Sequence, residues 1–466
     1  MQVAMNNQNL VETLINSVGK ETILTHGEAS VRPASVWRAG ANLQCKALAR
    51  PKSTAEVSEI MKICFANNQT VVPHGGLTNV VGGVKTSLDD IAITLERMNM
   101  IEEIDVRNKT VTVQAGVILQ DLQKAVAEAG LLFPLDLGAK GSCMIGGNIS
   151  SNAGGLQALR YGVMRQLVLG LEVVLADGTI ISSMNKMMKN NAGYDLKHLF
   201  IGSEGTLGIV TKAILKLEDA PQSRNTALVA LESFDKAIDF LNIAKRTLAN
   251  TLASYEIIWQ DYYQLMTSSP STFSAPLPQN YAYYVLIEAL GQSPEADTTL
   301  FQNLLEQSFE NGLIADAALA QSQQELDWFW GIREQVEFVF SVHNPVFLFD
   351  VSLPITEMEN YIDTIKINLK NVWNDVAFYA FGHMGDGNLH LFVSCGEDDE
   401  TTRHKVEEII FMLLQPIGGS ITAEHGIGLE KKAWLHLSRS AEEIALMRML
   451  KNTLDPKGIL NPNKVV

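Results

Sequence analysis

A chain of 466 residues, 46% hydrophobic and 19% charged, reads as a globular protein too long for one ordinary core, so two or three domains are expected. Its net charge of −16 argues against a nucleic-acid partner, while an anionic substrate can still be taken by a locally positive pocket. The four cysteines (Cys45, Cys64, Cys143, Cys395) are scattered with no C-x-x-C spacing, which points to a reducing compartment and to neither a zinc knuckle nor a disulfide frame. No run approaches the roughly 18 apolar residues of a membrane span, and Met1–Lys20 has neither a signal-peptide nor a transit-peptide composition. A cytoplasmic protein is expected.

Residues 8–18 are expected to form a short helix, with few regular signals from there to Arg50. Thr54 is read as the N-cap of a helix whose Val57, Ile60, Met61, Cys64 and Phe65 share a face. Strands are expected at Thr70–Pro73, Ile91–Leu95, Ile101–Val106 and Thr110–Ala115, then a helix from Ile118 to Glu128. Leu171–Leu175 and Thr179–Ser183 form a hairpin about Asp177-Gly178, and Ile201–Thr211 runs from a glycine-rich bend into a strand.

Glycines crowd two windows in this half, one holding Gly75, Gly76, Gly82 and Gly83, the other Gly138, Gly141, Gly146, Gly147, Gly154 and Gly155. Such loops let backbone N–H groups approach a ligand, so the pair reads either as a cradle for a phosphate-bearing cofactor or as two surface loops. Neither has the spacing of a Rossmann fingerprint or a P-loop.

Composition shifts at Glu218–Thr226, where a domain boundary is expected. Beyond it, strands at Ala227–Leu231, Tyr255–Trp259, Tyr281–Ala289 and Phe347–Ser352 alternate with helical patterns at Phe234–Leu248, Asp297–Asn311, Trp328–Gln335 and Ile355–Leu369. That mixture predicts an antiparallel sheet with helices on one face.

Two further runs, Val376–Phe381 and Leu389–Ser394, flank Phe381-Gly382-His383-Met384-Gly385-Asp386-Gly387-Asn388. With Asp386-Gly387 as a two-residue turn, His383 stands opposite His390, and His383, Asn388 and His390 share one side. Opposed residues have Cβ atoms about 5 Å apart, so the imidazoles either share a metal ion or are opposed by chance. Helix Thr402–Leu414 leads to Gly418–Gly428, which holds Glu424-His425 between glycines. Glu424 is assigned as the carboxylate of a two-His-one-carboxylate set suited to zinc, manganese or iron, leaving His425 to move a proton. Helix Ala441–Leu454 and a turn-rich tail close the chain.

In this order, Pro73-His74-Gly75-Gly76, Gly146-Gly147-Asn148, Gly202–Gly208, Gly382-His383 with Gly385–His390, Glu424–Gly428 and Asp455-Pro456-Lys457 are specific. From about Arg50 to Pro462 the chain resembles the FAD-linked D-2-hydroxy-acid dehydrogenases, the group of D-lactate and D-2-hydroxyglutarate dehydrogenases and the catalytic subunit of glycolate oxidase. The resemblance implies an α+β fold: a two-part FAD-binding domain of the vanillyl-alcohol oxidase and p-cresol methylhydroxylase type, with an antiparallel-sheet substrate domain. The expected division is an N-terminal segment 1–50, an FAD-binding domain 51–220, a substrate-binding cap 221–410 carrying the metal hairpin, and a C-terminal segment 411–466 packing back on the flavin domain.

What the family further implies is FAD held without a covalent bond, since covalent relatives have a histidine where this chain has Thr78. The cofactor contacts are expected from Pro73, His74, Gly75, Gly76, Leu77, Thr78, Asn79, Leu135, Asp136, Gly141, Ser142, Gly146, Gly147, Asn148, Ser151, Asn152, Gly154, Gly155, Glu204, Gly208, Ile209 and Asn461. His383, His390 and Glu424 would bind a divalent metal, zinc first, with His425 as base and Asn388 on the substrate carboxylate. The implied reaction oxidises a D-2-hydroxy acid to the 2-oxo acid by hydride transfer to flavin. Electrons would leave to a quinone, an electron-transfer flavoprotein or a cytochrome, and a homodimer is among the expected partners.

Arg333 is the candidate clamp for a carboxylate, its alternative being a surface ion pair with Glu337. The chain departs from the D-2-hydroxyglutarate enzymes at Glu337, where they carry Thr or Ser, and at Leu348, where they carry Lys. Both changes favour D-lactate or a larger monocarboxylic acid, with D-2-hydroxyglutarate as the alternative. Readings of other classes are a metal-dependent hydrolase with a nucleotide in the glycine loops, and a non-catalytic flavoprotein with a vestigial metal site.

Overall fold

The computed structural model describes residues 2–37 and 40–466; Met1, Arg38 and Ala39, all within the expected N-terminal segment, lie outside the described residues. The chain forms two compact units, one of Met1–Gly155, Gly162–Ala220 and Glu424–Val466, the other of Leu156–Tyr161 and Pro221–Ala423.

The first unit opens on a helix, Gln2–Val18, longer than the sequence reading expects. Strands Ile23–Thr25 and Ala47–Ala49 fall where few signals were found, because three residues are too few to display a period. They continue through Ile91–Thr94 to Val71–His74, making a four-stranded sheet whose last three strands are parallel. Helix Thr54–Ala66 supplies the crossover; its N-cap is Ser53, one residue before the expected Thr54, because the Ser53 side chain accepts the Glu56 N–H. A five-stranded antiparallel sheet follows in the order Ile101–Asp105, Thr110–Gln114, Ile209–Lys216, Val168–Val174, Ile180–Ser183.

The tail is ordered by one buried carboxylate. Asp455 accepts the N–H groups of Ile459 and Leu460 and the Lys451 ammonium. So braced, the tail adds to the edge of Val71–His74: Val71 donates to the Ile459 carbonyl, and Asn461 donates to that of Val71.

The second unit is built on β1 (Ser223–Leu231), β2 (Leu252–Trp259), β3 (Tyr283–Gly291), β4 (Asp316–Leu319), β5 (Phe347–Ser352), β6 (Ala377–His383) and β7 (Asn388–Ser394). All pairings are antiparallel, in the order β4-β1-β3-β2-β6-β7-β5. Between the strands run α1 (Phe234–Leu248), α2 (Gln260–Thr267), α3 (Pro294–Glu310), α4 (Gln323–Glu334), α5 (Glu337–Val342), α6 (Met358–Val372) and α7 (Glu400–Phe411).

Side chains alternate along each strand, so neighbours in sequence serve opposite faces. Tyr255 packs on Phe240 of α1 and Phe349 on Phe411 of α7, which places the expected helical layer on that face. Two further helices cover part of the other face: Phe381 meets Tyr262 of α2, and the Trp330 indole of α4 donates to Glu288 of β3. His383, His390, Asp350 and Glu256 lie on this second face.

The hairpin differs from expectation in its turn. Phe381, not His383, is the partner of His390, and Met384–Gly387 form a four-residue loop in place of the two-residue turn. The loop is closed by Asp386 and Gly387 N–H groups donating to the His383 carbonyl. The register has moved by two residues, an even number, so both histidines keep the same face.

Candidate active site

Across β6, the residue opposite His383 is Glu256 of β2. Glu256 Oε1 lies 2.8 Å from His383 Nδ1, while Oε2 takes Arg333 Nε at 2.9 Å and Nη2 at 2.8 Å. Glu256 is 1% exposed and Arg333 4%, with the guanidinium 4.3 Å above the Phe381 ring. Burial opposes the Glu256 charge, but His383 and Arg333 outweigh it and hold the carboxyl below its usual range.

A carboxylate can only accept, so His383 Nδ1 carries a proton; Arg333 Nη2, which can only donate, stands 3.5 Å from Nε2, which fits a lone pair there. That Nε2 faces His390 Nε2 at 3.2 Å, with the rings nearly perpendicular. Glu256 had no signal in the sequence: it is one acidic residue in an apolar strand, and its partners are 77 and 127 positions away.

Asp350, fully buried on β5 opposite His390, is the second residue the sequence reading missed as a functional group. Its Oδ1 accepts Asn388 Nδ2 at 2.9 Å, and its Oδ2 accepts the Ala423 N–H at 3.0 Å and the Thr422 hydroxyl at 3.2 Å. Asn388 Nδ2 also donates to the Val351 carbonyl, so the amide proposed for a carboxylate is engaged, while Asn388 Oδ1 is buried and unpartnered. The Asp350 bond to Ala423 sets where the chain delivers the next residue, Glu424. Within the second unit His383 and His390 bring two imidazole nitrogens to 3.2 Å, donors that suit a divalent cation; Glu424, the carboxylate expected with them, is the next residue after Ala423.

The loop after His425 is anchored within the first unit. Glu204 Oε1 accepts the Ile427 N–H at 2.7 Å, and Oε2 the Gly428 N–H at 2.8 Å. Expected at the cofactor, this partly buried carboxylate spends both oxygens on the backbone that follows Glu424-His425.

The remaining expected cofactor contacts also lie in the first unit. Pro73 and His74 end a strand, and Gly75–Asn79 form the loop after it, where the Asn79 side chain accepts the Val81 and Gly83 N–H groups and Leu77 has φ +58. A Cβ on Gly76 would stand 1.9 Å from the Ser142 carbonyl oxygen, so the two glycine windows meet backbone to backbone. Gly146, Gly147 and Asn148 open the helix Ile145–Ser150, closed by Ser151 and Asn152. Gly154 faces the Glu424 carboxylate, and Gly155 packs on the Asp136 backbone, next to Leu135. Asp136 pairs with Lys140, just before Gly141; Gly208 and Ile209 enter a strand packed on Val173 and Phe200; and Asn461 donates to the Gly83 and Glu204 carbonyls. The Thr78 carbonyl accepts the Trp37 indole N–H.

Several groups in this region point to a ligand. A Cβ on Gly147 would meet nothing within 4 Å, and Asn148 Nδ2 and Asn461 Oδ1 are buried without a hydrogen-bond partner. His74 is not among them: burial drives its pKa down to about 4, and Nε2 is bonded to the Val84 carbonyl at 3.0 Å.

Among the proposed substrate residues, Arg333 pairs with buried Glu256, not with Glu337, so the surface ion pair is discarded. Glu337 is exposed at the start of α5, and Leu348 packs partly buried beside Phe392, its cross-strand partner.

The model of an FAD binding domain matches residues 45–183, and that of the FAD linked oxidases, C-terminal domain, matches residues 220–465. The chain is 36% identical over 449 residues to the mitochondrial D-2-hydroxyglutarate dehydrogenase of Arabidopsis thaliana, covering 96% of this chain and 80% of that protein. To the mitochondrial enzyme of that name from Bos taurus it is 37% identical over 444 residues, covering 95% and 81%. To the D-2-hydroxyglutarate dehydrogenase of Xanthomonas citri pv. viticola it is 37% identical over 426 residues, covering 90% and 89%. Among solved structures, p-cresol methylhydroxylase superposes with a TM-score of 0.76 at 14% identity, over 98% of this chain and 96% of that one. Alkyldihydroxyacetonephosphate synthase does so with a TM-score of 0.77 at 19% identity, over 98% and 86%. At such identities these two speak for the fold alone. The cytoplasmic expectation is corrected by relatives named mitochondrial, and the lack of a membrane-spanning helix among the described residues does not rescue it.

Proposed function

The chain belongs to the FAD-linked oxidase family, as an FAD-dependent oxidoreductase of the D-2-hydroxy-acid dehydrogenase group, and on that footing we propose that it oxidises D-2-hydroxyglutarate to 2-oxoglutarate. The observation that carries the substrate is the shared name of relatives 36% and 37% identical over nearly the whole chain. It displaces the D-lactate preference. That preference rested on a carboxylate at Glu337 repelling the substrate and on Leu348 offering it no charge; of these, Glu337 is exposed, where water damps its field.

FAD, bound without a covalent link in the glycine windows of the first unit, supplies the two-electron acceptor. Gly147, Asn148 and Asn461 are the residues assigned to hold it, with Gly76 keeping the windows in contact. A divalent cation, zinc first, is assigned to His383, His390 and Glu424, where its Lewis acidity would polarise the substrate hydroxyl. His425 is assigned to accept the C2 hydroxyl proton, since an imidazole titrates near working pH. Arg333 and Asn388 are kept as groups facing the substrate carboxylates, each with part of its hydrogen-bonding capacity already engaged. The second unit is thus the substrate domain, and reoxidation falls to a quinone, an electron-transfer flavoprotein or a cytochrome.

The test is anaerobic flavin bleaching by D-2-hydroxyglutarate and by D-lactate, with and without EDTA pretreatment. Fast bleaching by D-2-hydroxyglutarate that EDTA abolishes and added zinc restores is expected. Bleaching by D-lactate alone overturns the substrate, and indifference to EDTA overturns the metal.

A further inference from the structure

We propose that Glu256 is a positioning residue of the metal site: clamped by Arg333, its carboxylate fixes His383 in the one tautomer whose Nε2 can bind a cation. The inference rests on the metal reading above and extends it to two residues that touch no cation themselves. Its basis is the division of labour between the two carboxylate oxygens. Oε2 receives Arg333 at Nε and Nη2, and Oε1 faces His383 Nδ1 at 2.8 Å. Neither oxygen has a proton to give, so His383 donates from Nδ1, and Nε2, which faces the Arg333 Nη2 donor at 3.5 Å, is left with the lone pair.

Register and burial make the arrangement rigid. Glu256 and His383 are directly paired across β2 and β6, in the middle of a seven-stranded sheet. Arg333 arrives from α4, and its guanidinium is stacked on Phe381, the residue paired with His390. Glu256 therefore has a fixed charge on one side and a fixed imidazole on the other.

The decisive property is that Arg333 can only donate. In Glu256→Gln the single amide oxygen must turn to Arg333, which aims the amide NH2 at His383 Nδ1. Nδ1 then has to accept, the ring proton moves to Nε2, and the lone pair that would meet a cation is lost. Adding Arg333→Met removes the demand for oxygen on that side. The amide is then free to turn over and give its oxygen back to Nδ1. A loss caused by the first substitution is thus repaired by the second. Because Arg333 Nη2 also stands 3.5 Å from His383 Nε2, R333M alone is titrated beside them, and the repair counts only where R333M gains more affinity in E256Q than in wild type. Glu256→Ala is the poorer variant, because it leaves the Arg333 charge buried without its partner.

The experiment is competitive titration of Zn²⁺ and Co²⁺ against a chelator, on purified wild type, E256Q, R333M and E256Q/R333M, with the Co²⁺ visible spectrum and the melting temperature of each metal-free protein. Wild type is expected to bind one ion, E256Q to bind it about 10–100-fold more weakly, the scale of losing a group that orients a ligand, and the double variant to recover most of that loss. Wild-type affinity and spectrum in E256Q overturn the proposal while leaving the metal reading intact. A double variant as weak as E256Q, or weaker, overturns it in favour of a purely structural role. A wild-type protein that binds neither ion overturns the metal reading, and this proposal with it.

Discussion

The Nε2 atoms of His383 and His390 face each other across 3.2 Å. Glu256 holds the His383 proton on Nδ1, so His383 presents a lone pair to that gap. Replacing His390 by Ala should abolish stoichiometric metal binding, as measured by elemental analysis after gel filtration. Flavin reduction by D-2-hydroxyglutarate should fall about 10²-fold or more, the scale of removing one preorganised charge-stabilising group. Retained metal in both His383→Ala and His390→Ala would place the ion elsewhere.

Two glycines should separate folding from cofactor binding. Gly76→Ala drives a Cβ to 1.9 Å from the Ser142 carbonyl oxygen, so low yield of folded protein is expected. Gly147→Ala meets no protein atom within 4 Å and lies in a helix, where Ala is favoured over Gly by up to about 1 kcal/mol. Its flavin-free melting temperature should hold or rise while its FAD content, read from the visible spectrum, falls. A fully yellow Gly147→Ala protein would remove that residue from the cradle.

His74 makes a pH prediction. Burial lowers its folded-state pKa to about 4, below the value near 6.5 of an unfolded histidine. The folded protein therefore refuses a proton that the unfolded chain accepts. The stability contributed is present above pH 6.5 and lost as pH falls from there to about 4, a change on the order of 3 kcal/mol. Urea unfolding of wild type and His74→Gln across that window should give a shallower decline in the variant. Parallel curves would show that His74 is protonated in the fold.

Glu204 is predicted to act on His425 through the backbone. Its two oxygens are the acceptors for the Ile427 and Gly428 N–H groups, so Glu204→Ala should cost about 1–3 kcal/mol in thermal unfolding. Because the same loop carries His425, flavin bleaching should slow more than FAD content declines. An equal fall in both would place the effect of Glu204 at the cofactor.

Local pattern carried much of this protein. Helix Phe234–Leu248 and strand Phe347–Ser352 run over the residues that periodicity assigns them, because each buries one face against a sheet and shows it as a repeat. The shared face of His383, Asn388 and His390 was also legible, since a strand's alternation survives any even slip of register. The loop length was not: Asp-Gly signals a turn, but the His383 carbonyl, by accepting from Asp386 and Gly387, settled on four residues.

What only the tertiary structure decided are the partners of charge. Arg333 reads in the sequence as a clamp for a substrate carboxylate or, alternatively, as the ion-pair partner of Glu337 four positions on. The sheet instead carries Glu256 to it from 77 positions away, and a buried guanidinium takes the carboxylate that is buried with it. Glu204 likewise gives its carboxylate to a backbone more than two hundred residues downstream, while its own N–H donates to the Ser150 carbonyl beside the second glycine window. Periodicity records which face a residue turns inward. Which group waits there is set by the register of strands remote in sequence, and no local pattern encodes it.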